Sequence, residues 1–226
     1  FSTYSQLTLP PLAPQLEPVD TSGGVDKGWI GALDAALRAA NLDAIRRLYS
    51  GGAAILELFK MKDRPLSCAC ITYAYIRFTS EVDACFGTVG AQLDIILADV
   101  KCRLEVVLKE KKDIIAFLAT SFAAKTMQEQ DMLTAKLLST VTLDQISRVE
   151  RLMATFCFEL TADDAKKLWR NTMRTTIGSS GIVYVECGAT RMPHAGRPYH
   201  SPILVHTEFT HEAYRFFMKA IAPTSA

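Results

Sequence analysis

The chain has 226 residues, 49% of them hydrophobic and 22% charged, with a formal net charge of +1. This is enough chain for one large globular domain or two small ones, and it lacks the clustered Lys/Arg surface that neutralising a phosphate backbone requires. No apolar run reaches the roughly 18 residues needed to cross a bilayer, so no direct membrane span is expected.

Residues 1–25 carry Pro10, Pro11, Pro14 and Pro18 ahead of Gly23-Gly24 and read as an extended, Pro-rich arm. From Asp26 the apolar period becomes helical. Trp29, Leu33, Ala36, Leu37 and Ala40 form a first stripe, with Asn41 as a left-handed stop. Ile45, Leu48, Tyr49, Gly52, Leu56 and Phe59 form a second. There Gly51-Gly52 either breaks the helix or bares its backbone for a close neighbour. Pro65 opens a third helix reaching about Phe78, and a short fourth covers Glu81 to Val89. The fifth is the most regular, with Leu93, Ile96, Leu97, Val100, Leu104, Val107 and Leu108 spaced i, i+3, i+4, i+7. A sixth places Ile115, Leu118 and Phe122 inward. The charged run Lys109 to Asp113 between them reads as a solvated helix end or turn. Residues 26–128 are thus expected to be a six-helix bundle.

Beyond about Met127 the period changes. Leu133, Ala135 and Leu137 alternate with Thr134, Lys136 and Leu138, which predicts a strand. Thr142 followed by Gln145 has the spacing of a capping box for a helix carrying Leu143, Ile146, Val149, Leu152 and Met153. A second capped polar segment follows at "TADDAKKLW". "IGSSGIVYVECG" then gives a Gly-flanked turn into a strand, "PILVHTEF" a further strand, and "THEAYRFFMKAI" a closing helix. Residues 129–226 are expected to form a small α+β domain, making the whole chain mainly α.

Signatures of catalysis are missing. No Walker loop, dinucleotide fingerprint, GxSxG elbow or HExxH helix occurs. The six cysteines include no CxxC pair and read as buried thiols. All four histidines lie from His194 onward, without companions at zinc-ligand spacing, so no metal and no cofactor are expected. Cys187 with a histidine of the same domain is the best enzymatic alternative, but its place in "YVECG" suits a strand core. "GSSG", Gly178 to Gly181, suits a turn better than an anion nest. A helical bundle with an extended arm also suits a nucleocapsid or coat protein packing RNA, a reading that near-neutral charge opposes.

The order of parts resembles the oligomycin-sensitivity-conferring protein (delta-subunit) family of ATP synthases. "GWIGALDAALRAANLDAIRRLYSGGAAILELF" is similar to that family's opening helix pair. "RLEVVLKEKKDIIAFLATSFAAKTM" is similar to its later helices, with Leu108, Ile115 and Phe122 at apolar positions. "LLSTVTLDQISRVERLM" resembles its strand-to-helix turn through Ser139, Leu143 and Gln145, with Val141 where the family has Pro. The family's Gly pair is split here, at Gly178 and Gly181.

The resemblance implies a non-catalytic subunit without an active site, holding the head of a mitochondrial ATP synthase to its peripheral stalk against rotor torque. It also implies a matrix-side location at the inner membrane. The Phe1-Ser2 start, similar to the end left by presequence removal, agrees with that expectation. The implied partners are the alpha-subunit N-terminal helices and a peripheral-stalk subunit. The head groove would use Trp29, Leu33 and Leu37 with Leu93, Leu97, Val100 and Leu104. The stalk contact would use Tyr214, Phe217, Met218 and Ile221.

Overall fold

The computed structural model describes residues 28–60, 65–87, 93–125, 127–156 and 161–196, together with Ala213, Phe216, Phe217 and Ala220. These residues form five α-helices, one 3-10 helix and a three-stranded antiparallel sheet, so the chain is mainly helical. The expected count of six bundled helices is not met, because several predicted helices run together. Two compact units divide the described chain. One holds it up to Tyr73, with Ala195 and Gly196; the other holds Ala74–His194.

In the first unit, α1 (Gly28–Gly51) absorbs the first predicted helix and the start of the second. Asn41 does not stop it. That side chain is wholly buried and occupied in long-range bonds, so it has no need of a left-handed turn. The helix ends where the glycines stand. Gly52 adopts φ 62°, and its N–H reaches the carbonyls of Leu48 and Tyr49. This is the left-handed closure that glycine permits at low cost. The 3-10 helix Ile55–Lys60 follows, its start capped by Glu57 Oε2 accepting from Ala54 N–H at 2.9 Å. Helix α2 (Ser67–Cys85), within which the two units divide at Tyr73, begins just after Pro65 as expected, but continues past Phe78 into the predicted fourth segment as far as Cys85. In this unit Tyr73 OH donates to Ala53 O at 2.6 Å.

The second unit is built on two long helices. Helix α3 (Leu93–Ala123, 31 residues) joins the predicted fifth and sixth helices. The charged run is therefore neither an end nor a turn. It lies inside α3, and Lys111 is buried at 1% exposure. Helix α4 (Glu129–Thr155, 27 residues) replaces the predicted strand and its capped helix. Ala135, Leu138, Val141, Gln145, Val149 and Leu152 are all buried, a stripe of helical period that outruns the short alternation around Leu133. Thr142 and Gln145 cap nothing. Thr142 Oγ1 donates back to Leu138 O at 2.7 Å, as mid-helix threonines do, and Gln145 Nε2 donates to Ala74 O at 3.2 Å. Leu143, expected inward, is 54% exposed.

Helix α3 packs along α4, and α5 (Ala162–Arg170) packs against both. The core they share contains Phe78, Val82, Val100, Leu104, Val149, Leu152 and Trp169. Phe78 and Trp169 meet edge to face, with ring centroids 5.6 Å apart. Helix α5 opens with a capping box between Thr161 and Asp164, in the segment expected to be capped. Strands β1 (Arg174–Ile177), β2 (Val183–Cys187) and β3 (Thr190–Pro193) form the sheet in that order. Arg174 pairs with Glu186 and Tyr184 with Pro193. The "GSSG" turn joins β1 to β2, with Gly178 N–H donating to Ile182 O and Gly181 N–H to Gly178 O, both at 2.8 Å. The predicted strand "PILVHTEF" lies outside the described residues, as do the arm 1–25 and most of the closing helix.

Candidate functional site

Three groups of charged side chains cross between elements of the second unit. In the first, α2 and α3 are joined by Lys111 Nζ, 2.5 Å from Glu81 Oε2, while Arg77 Nε donates to Glu81 Oε1 at 2.6 Å. Glu110 flanks both cations, 3.4 Å from Arg77 and 3.9 Å from Lys111. The lysine's four-carbon stem crosses the apolar layer and its ammonium ends among carboxylates, which is how a buried lysine avoids an isolated charge.

In the second group, on α4, Arg148 Nε and Asp144 Oδ2 lie 2.8 Å apart and are almost wholly buried. Neither atom has the alignment of a hydrogen bond, so the contact is an ion pair without one. Arg148 Nη1 also donates to Met173 O at 2.7 Å, holding the entrance to β1.

The third group surrounds Arg174, whose Nη2 donates to Glu186 Oε2 at 3.2 Å and whose Nη1 lies 3.6 Å from Asp83 Oδ2. Asp83 also accepts from Trp169 Nε1 at 2.6 Å, and Glu186 accepts from Thr176 Oγ1 at 2.8 Å. Arg191 stacks on Tyr184, its guanidinium 3.7 Å from the ring centroid. In all three groups acids and bases answer each other. They tie elements together and present no nucleophile beside a base.

Four thiols behave as core groups, but Cys102, expected to be buried, is exposed on α3, and Cys157 lies outside the described residues. Burial pushes Cys70 up to about 12 and Cys85 up to about 11, and raises Cys68 as well. Cys187 is buried and donates to Asn171 O at 3.2 Å. His194 is the one histidine among the described residues, and burial lowers its pKa. Among the described residues no group of three His, Cys, Asp or Glu side chains is placed to hold a metal ion.

The residues expected to meet partners fall into different settings. Leu33 and Leu37 are half-buried on α1, in the first unit. Leu97 is half-buried on α3, in the second. Val100 and Leu104, at 1% and 0% exposure, belong to the second unit's core and present no surface. Trp29 opens α1 and Leu93 opens α3, but their side chains lie outside the described residues. Phe217 is 62% exposed, whereas Tyr214, Met218 and Ile221 lie outside the described residues.

Other exposed apolar side chains of the second unit are Val106 and Phe117 on α3, Leu133 and Leu143 on α4, Leu168 on α5, Ile182 before β2, and Phe216. Val106 and Phe117 are close to three turns apart at about 3.6 residues per turn, and so share one stripe of α3. The sequence holds a faint signal for them. Val106 precedes the inward pair Val107 and Leu108, where a two-residue step already completes the buried stripe.

The chain matches no protein-family model, and no curated protein sequence matches it significantly.

Proposed function

We propose that this chain is a non-catalytic connecting subunit that docks helical partners. Its assembly, on this reading, is the mitochondrial ATP synthase, where it links the alpha-subunit N-terminal helices of the catalytic head to the peripheral stalk. The observation that carries the docking reading is the apolar stripe on α3, where Val106 is 66% exposed and Phe117 is 42% exposed. Large apolar side chains kept outside a well-filled core are the material from which helix-in-groove contacts are made. The long α3–α4 pair, cross-tied to its neighbours by buried ions, suits a connector that must transmit force without shearing.

Support for the particular assembly comes from the sequence resemblance on either side of α4. Upstream, the likeness rests on the quoted segments and not on an order of six helices, several of which run together here; downstream, it rests on the Gly-flanked strand. The segment between them is one continuous helix and lends the likeness no support. No helix among the described residues is long and apolar enough to cross a membrane.

Affinity purification of the tagged full-length chain from gently solubilised mitochondrial membranes tests this reading. The alpha and beta catalytic subunits are expected to co-purify in stoichiometric amounts. Recovery of the chain without them sinks the ATP synthase assignment.

A further inference from the structure

Asn41 stands inside α1 with 0% exposure, and its side-chain amide is used at both ends. Nδ2 donates to the carbonyl oxygen of Gly196 at 3.2 Å, 155 residues further along the chain. Oδ1 accepts from the thiol of Cys68, near the start of α2, at 3.1 Å. One amide therefore joins three separate stretches of the first compact unit: α1, the opening of α2, and the late segment at 195–196.

The late segment is pressed against α1 more closely than a side chain allows. A Cβ on Gly196 would lie 2.9 Å from Leu42 Cγ and 3.3 Å from the carbonyl oxygen of Arg38. Gly196 also adopts φ 65°, a conformation in which other residues are strained. Both features make the closed arrangement depend on glycine at this position.

We propose that Ala195-Gly196 is a latched strap on α1, with Asn41 as its latch, and that it opens locally while the second unit stays folded. Closed, it lies against α1 at Arg38 and Leu42, and the amide that holds it also holds the thiol of Cys68, which is 6% exposed. Open, it bares that side of α1 and the Cys68 thiol together, since the same amide holds both. Local segments can open at lower free energy than the whole molecule does, and the strap is taken to open in this way. The device is independent of which partner the protein binds.

Alkylation of the native full-length protein with N-ethylmaleimide, resolved cysteine by cysteine by mass spectrometry, tests the latch. Cys102 is exposed and reports free reagent; Cys85 and Cys187 are buried in the second unit and report its unfolding. Gly196→Ala forces a side chain into the left-handed region and should speed labelling of Cys68 about tenfold. Asn41→Ala, which removes the latch without strain, should speed it as well. Leu42→Ala added to Gly196→Ala clears the tightest contact and should restore part of the protection. In every variant Cys85 and Cys187 should keep their wild-type rates. Unchanged Cys68 labelling in both single variants overturns the proposal. So does acceleration of Cys68 in step with Cys85 and Cys187, which would mean general unfolding instead of a strap.

Discussion

Lys111 and Glu81 form a buried pair whose two halves should respond very unequally to removal. The lysine side chain is 1% exposed and the glutamate 19%, with Nζ and Oε2 2.5 Å apart. Among the described residues, Glu81→Ala leaves an ammonium in the core with only the Glu110 carboxylate, 3.9 Å away and 41% exposed, to answer it. Stranding a buried charge in this way costs about 3–5 kcal/mol. Lys111→Met fills the space of the stem and strands nothing, since Glu81 keeps Arg77 at 2.6 Å and partial access to water. Replacing a buried ion by an apolar side chain of similar volume costs about 0–1 kcal/mol or stabilises. With a urea m-value of about 1–3 kcal/mol/M for a small unit, the two midpoints should differ by one to a few molar. Fluorescence of Trp169, 2% exposed in the same core as Phe78 and Val82, reads the second unit directly in a Trp29→Phe background. Equal midpoints, or a larger loss from Lys111→Met, would refute the claim that Lys111 is held by Glu81 inside a desolvated layer.

Two further predictions rest on other parts of the second unit. Val106→Ser and Leu143→Ser remove exposed apolar surface and should change stability by less than about 0.5 kcal/mol, while lowering recovery of the catalytic subunits in the affinity purification. Undiminished recovery with both changes combined would exclude these faces as docking sites. The hydroxyl and backbone N–H of Thr161 both donate to Asp164, holding its carboxyl below the ordinary range. A carboxylate with a depressed folded pKa stabilises the fold above its unfolded pKa of about 3.9, and that contribution fades as pH falls through the folded value. In an NMR titration, Thr161→Ala should move the Asp164 midpoint upward towards that ordinary value. An unmoved midpoint would show that the cap does not hold the carboxylate.

The elements whose signals are local were legible in the sequence. The capped segment at Thr161 announces the start of α5 and Gly178 to Gly181 the turn into β2, while Gly51-Gly52 leaves two readings open, of which the break is the one that forms. Each depends on a backbone conformation or a cap made within a few residues. Local rules fail where they compete with a longer period. Three alternations at Leu133, Ala135 and Leu137 read as a strand. The buried stripe from Ala135 to Leu152 runs through the same residues at helical spacing, and the helix is what forms. The partner surface was less legible still. A stripe such as Val100–Leu104 has the same sequence pattern whether it meets a partner or its own core, and here it meets Phe78, Val149 and Trp169.

The misplaced boundaries share one cause. Asn41, the lysine run around Lys111, and Thr142 with Gln145 are polar residues interrupting apolar stripes, and each has the chemistry of a helix end. All four named side chains are buried within uninterrupted helices. Three of them reach out of their own helix: Asn41 to Gly196, Lys111 to Glu81 and Gln145 to the Ala74 carbonyl. Thr142 turns back on its own helix at Leu138. A polar residue in line with apolar neighbours three and four positions away on both sides is thus as good a candidate for a core tie as for a cap. The distinction lies in its partner, which is 30 residues away for Lys111 and 71 for Gln145 and so invisible to any local window. Burying such groups is costly unless they are paired. The positions that mislead a local reading are therefore the ones at which this fold commits its elements to one arrangement.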